Sequence, residues 1–191
     1  LVAVGVGVGW FTMTGVAQDA NSLYLAGKYQ EVVAATAGTS NPSLVYLTAQ
    51  SHQKLEQGDK AGVALAKLTA RGESDPWRFV GESALRLARG DAEGAFSAAT
   101  RAVELGAGLS QAHFQLGLTC GHKQDFAKAA ESFTKAAELD PSSAYAHYYA
   151  GLSYYRVNRV DRMAIHFEAF LRLAPAAPER GEVESIMRTI R

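Results

Sequence analysis

Apolar side chains in this chain fall at helical spacing. Tyr145, Tyr148, Leu152 and Tyr155 stand at i, i+3, i+7 and i+10, one face of a helix, with Ala150, Gly151 and Tyr154 on the other side. Val183, Ile186, Met187 and Ile190 form a second stripe at i, i+3, i+4 and i+7. Pro178, Glu179 and Glu182 precede or open that run and Arg188 and Arg191 close it, the polarity a helix dipole favours. Turn signals divide the helical stretches into pairs at Gly27-Lys28, Gly58-Asp59, Gly90-Asp91, Gln124-Asp125 and Asn158-Arg159, with successive spacings of 31, 32, 34 and 34 residues. Small residues recur at Ala20, Ala49, Ser83, Gly117 and Gly151, where a large side chain would push paired helices apart. Ala95, Ala129 and Met163 open second helices in the same way.

Two stretches are near copies. Residues 110–141 and 144–175 align with His113 on His147, Gly117 on Gly151, Phe133 on Phe167 and Pro141 on Pro175, each pair 34 residues apart. A helix–turn–helix period of that length, with His113, Leu116, Gly117, Cys120, Ala129, Phe133 and Pro141 in one unit, resembles the tetratricopeptide-repeat (TPR) family. The next unit reads His147, Ala150, Gly151, Tyr154, Met163, Phe167 and Pro175, with histidine where the family usually has tryptophan. The three earlier units depart further from the pattern, and none ends in the Leu-Asp-Pro of the fourth. The predicted fold class is all-α: a solenoid of about five helix–turn–helix units over 18–175, closed by a capping helix over 176–191. A single helix pair cannot bury its own apolar face, so the units must stack.

The resemblance implies a protein-binding module, whose first helices line a groove. By spacing, the stripe facing that groove holds Tyr46 and Gln50 in the second unit, Trp77 and Val80 in the third, and Phe114 and Leu118 in the fourth. In the fifth it holds Tyr145, Tyr148, Leu152 and Tyr155. Aromatic side chains at this density suit interface anchors, and the fifth-unit stripe is expected to be substantially exposed in the free protein. One TPR subclass clamps a terminal carboxylate with Lys and Asn on this stripe. The corresponding positions here hold Tyr46 and Gln50, Val80 and Ala84, Phe114 and Leu118, and Tyr148 and Leu152, which cannot make that clamp. The expected partner is an apolar helix or extended segment of another protein. Self-association of the solenoid into a larger assembly is the alternative.

Residues 1–17 (LVAVGVGVGWFTMTGVA) carry no charge, and the first charged residue is Asp19. The stretch reads as the end of a membrane anchor beginning upstream, with a Gly5–Gly9 GxxxG pair. It also reads as a signal-peptide remnant ending Gly15-Val16-Ala17, or as a strand in which Val2, Val4, Val6, Val8 and Trp10 alternate with small residues. Either of the first two places the repeats outside the cytoplasm, on the periplasmic or secreted side. Lys28 is the only basic residue up to Thr36, so no basic flank holds them in.

The 19 basic and 19 acidic side chains cancel, which removes the long-range attraction that nucleic acid requires. With Cys120 alone there is no intrachain disulfide and no cysteine-rich metal site. No phosphate loop, GxSxG elbow or HExxH motif occurs, and the acids form no catalytic pair, so no enzyme, cofactor or metal is expected. His113 and His147 are expected to pack between helices, and Cys120 to be a buried thiol. Arg156, Arg159 and Arg162, close together around the last turn, read as solvated surface.

Overall fold

Caps and prolines set where several helices start. Asn41 accepts hydrogen bonds from the Ser43 and Leu44 amides with Pro42 at the first helical position, and Asp75 does the same for Trp77 ahead of Pro76. The computed structural model describes residues 19–189, and every regular element among them is a helix. Residues 19–25 (α1) and Tyr29–Ala35 (α2) are followed by α3 (Pro42–Lys54), α4 (Gly58–Thr69), α5 (Pro76–Ala88) and α6 (Ala92–Leu105). Then come α7 (Ser110–His122), α8 (Phe126–Leu139), α9 (Ala144–Arg156), α10 (Val160–Leu173) and α11 (Arg180–Thr189). Contacts divide the chain into two compact units, Leu1–Ala64 and Leu65–Arg191, with the division inside α4. The expectations for residues 1–17 and for Ile190 and Arg191 lie outside the described residues. No described helix is long and apolar enough to cross a membrane.

In the first unit α2 packs on α3. Ala20, Tyr24, Val32 and Tyr46 are buried, Tyr24 meets Tyr29 edge-on at 5.3 Å, and the Thr36 and Thr48 hydroxyls pair at 2.7 Å. In the second unit α5–α6, α7–α8 and α9–α10 are antiparallel hairpins, α6 packs on α7, α8 on α9, and α10 on α11.

Glycines at the hairpin crossings are required by contact. A Cβ on Gly117 would lie 2.8 Å from the Phe133 ring, and one on Gly151 would run into Phe167, itself fully buried. The third repeat solves the same problem with a small hydroxyl, Ser83, which donates to the Ala95 carbonyl at 2.8 Å. Gln115, buried, donates to the same Ser83 oxygen at 3.2 Å and ties the third and fourth repeats together.

The turn register differs from expectation in the second pair. At the turns within helix pairs the left-handed residues are Gly27, Glu56, Gly90, Gln124 and Asn158, and the last four are each 34 residues from the next. Gly58, predicted as the turn glycine, instead starts α4. A glycine offers the cheapest left-handed turn and so drew the sequence assignment, but the helix geometry places that conformation on Glu56.

Candidate partner-binding surface

The predicted stripe separates into buried and open positions. In the first of the two compact units, at the second repeat, Tyr46 is buried and Gln50 half-buried. In the second unit Val80, Phe114, Tyr145 and Tyr148 are buried, Trp77, Leu118 and Leu152 are half-buried, and Tyr155 is exposed at 46%. The expectation of an open fifth-unit stripe is thus corrected at Tyr145 and Tyr148, and the groove positions Tyr46, Val80 and Phe114 are buried as well.

The physical reason in the fourth and fifth repeats is an aromatic cluster plus a covering helix. Phe114 meets Phe133 edge-on at 5.4 Å and Tyr149 at 5.7 Å, and Tyr149 stacks on Phe133 at 5.4 Å. Tyr148 lies 5.2 Å from Phe170 and 5.1 Å from Tyr149, and Tyr145 lies 6.2 Å from Phe170. Over this cluster, Tyr145 Oη donates to Glu179 Oε2 and Tyr148 Oη to Glu182 Oε2, both at 2.9 Å. Burial, and then the Glu182 carboxylate, push the Tyr148 phenol well above its ordinary value, so it stays a donor. Spacing could not find Tyr149, which bridges two repeats, nor the two glutamates, because the pairing is between elements.

Of the two equivalent histidines, His147 packs against another helix, at His166, whereas His113 bonds the loop ahead of its own helix. His113 Nε2 lies 2.9 Å from the Ala107 carbonyl, and His147 makes the equivalent bond to the Pro141 carbonyl six residues before it. His147 Nδ1 faces His166 Nδ1 at 3.1 Å. Thr134 Oγ1 lies 3.3 Å from His166 Nε2 and donates to Tyr154 Oη at 3.2 Å, while the Tyr154 ring stacks on His166 at 5.6 Å. Burial first, then His147 and Arg162, lower the His166 imidazole to about 4, and burial also lowers His147. Cys120 is buried, and desolvation raises its thiol, so it is a poor nucleophile. Among the described residues no three His, Cys, Asp or Glu side chains converge as metal ligands would, and no buried side-chain N or O lacks a partner. Arg156 lies over the Phe126 ring at 5.2 Å and Arg159 pairs loosely with Asp161 at 3.6 Å, both on exposed surface.

The family profile described as Tetratricopeptide repeat matches residues 110–143. No curated protein matches the chain in sequence. Among solved structures, TTC0263, a thermophilic TPR protein in Thermus thermophilus, is 20% identical, covers 91% of this chain and 98% of its own, and superposes with a TM-score of 0.65. YrrB, a TPR protein with an unusual peptide-binding site, is 21% identical over 82% of this chain and 83% of its own, with a TM-score of 0.51. MamA is 18% identical over 85% and 91%, also with a TM-score of 0.51. At these identities the likeness is one of fold.

Proposed function

Because this chain belongs, by its repeat and its fold, to the tetratricopeptide-repeat proteins, we propose that it is a scaffold that holds a segment of a partner protein against the first helices of its second unit. The observation that carries this reading is the set of large side chains left open there. Leu118 and Leu152 sit one repeat apart at equivalent positions, both half-buried, and Tyr155 is exposed beside them in sequence. An apolar strip of this kind suits a partner's helix or extended segment. That YrrB, of similar fold, has a peptide-binding site supports peptide binding as a use of such a fold. The uncharged residues 1–17 support a membrane tether that places the repeats on the extracytoplasmic side, as an assembly factor or accessory subunit.

Cross-linked pull-down from native membranes, read by mass spectrometry, tests the scaffold reading. Tyr155→Ala and Leu152→Ala should retain the melting profile to within about 1–2 kcal/mol and weaken capture by about 1–3 kcal/mol if these are anchors. Unchanged capture by both variants would remove the first-helix face from consideration. Carbonate-resistant pelleting of the full chain, set against a soluble chain starting at Gln18, tests the tether, and light scattering that shows growth with concentration would favour self-association instead.

A further inference from the structure

The C-terminal helix α11 covers the Tyr145–Tyr148 patch with little to hold it there. Of its residues only Val183 is buried, whereas α9 and α10 each bury five or more. Further ties among the described residues are the Tyr148–Glu182 bond, the Tyr145 bond to Glu179 in the turn just ahead of α11, an Arg180 Nη1 donation to the Leu171 carbonyl at 3.1 Å, and the Arg180–Glu184 pair on its own surface at 2.8 Å. Glu179 and Glu182 stand 34 residues after the tyrosines they accept from, so α11 sits where the first helix of a further repeat would sit. Helices attached by so few buried groups open locally while the rest of a domain stays folded.

We infer that α11 is an exchangeable cover, and that the partner segment replacing it is a helix with two carboxylates three residues apart followed directly by an aliphatic residue. This rests on the reading of the chain as a protein-binding scaffold and says what its partner must present. The chemistry follows from what the patch demands. With α11 lifted, water serves the phenols; a segment that covers the patch again without offering an acceptor would bury the Tyr148 phenol unpaired beside an apolar ring cluster, and a buried donor left without an acceptor is costly. Carboxylates are the strongest acceptors a helix can offer at that spacing, and they meet the need on one face because i and i+3 are neighbours. The aliphatic residue fills the site that Val183 vacates. A purely apolar helix would strand the Tyr148 phenol, and basic side chains offer it no acceptor.

The test uses the full chain and a fluorescent synthetic peptide of residues 178–189. Val183→Asp should free α11, seen as faster amide exchange in 180–189 with α9 and α10 still protected. It should then bind the peptide at least about tenfold more tightly than the unsubstituted chain, in which α11 competes. Replacing Glu179 and Glu182 by Gln in the peptide, or Tyr148 by Phe in the Val183→Asp chain, should each weaken binding about fivefold or more. A folded Val183→Asp chain that ignores the peptide, or binds the Gln peptide equally, overturns the inference. If Val183→Asp also melts α9 and α10, the Glu179→Gln, Glu182→Gln chain takes its place with the same two outcomes. The assay needs no native partner, so its failure removes the exchange and leaves the scaffold reading to its own test.

Discussion

Gly151 shows how a single atom sets the spacing of two helices. Helix propensity alone says that replacing it should help, since glycine is about 1 kcal/mol worse than alanine in a helix interior. The Phe167 ring occupies the space a Cβ would need and is itself enclosed, so the ring cannot yield cheaply. Gly151→Leu should therefore cost roughly 1–3 kcal/mol or more, read from chemical denaturation; an unchanged midpoint would refute the close crossing. Arg159 is the opposite case, a position that can be improved. Asp91 and Asp125 cap α6 and α8 by accepting from the Gly94 and Lys128 amides at 2.9 and 3.1 Å. Arg159 holds the equivalent place before α10, with similar dihedral angles and no side-chain cap. Arg159→Asp should raise stability by about 1 kcal/mol, seen as a higher melting temperature, and a lower one would count against the shared cap geometry.

At the scale of elements, the α9–α10 hairpin carries a pH response. His166 is faced by His147 from α9, by Thr134 from α8, by the Tyr154 ring and by Arg162 on its own helix. In the folded chain it titrates at about 4, against about 6.5 when unfolded. Between those values the unfolded chain holds a proton there that the folded chain lacks, so stability rises with pH. The contribution is complete above about pH 6.5 and is lost as pH falls towards 4. Its size is on the order of 2 kcal/mol. Denaturation midpoints from pH 7 to 5 should fall more steeply for the native chain than for His166→Gln. Parallel slopes would mean the imidazole is not held neutral by its surroundings.

For the whole molecule, stacked repeats predict locality. Each hairpin of the second unit touches its neighbours in sequence, and stability in such arrays is a sum of repeat and nearest-neighbour terms. Gly151→Leu should accelerate amide exchange in 144–189 and leave 29–54 within error of the native chain. Uniform acceleration along the chain would show instead a single cooperative block.

The helical period, the pairing of helices and the identity of the crossing residues were legible from the sequence, because each is a local repeat that backbone geometry enforces. Gly117, Gly151, Phe133 and Phe167 recur at a fixed interval, and the structure joins each glycine to its ring. The turn at Glu56 was not legible, since its left-handed backbone is imposed on a residue with no preference for it. Nor was the burial of Tyr145 and Tyr148. A stripe at i and i+3 gives a face but does not say what lies across it, and only the return of α11 and the turn ahead of it puts Glu182 and Glu179 against those hydroxyls. His166 joined His147 for the same reason. Spacing along one chain determines which side chains share a helix face, whereas packing between helices decides which of those faces remain available to a partner.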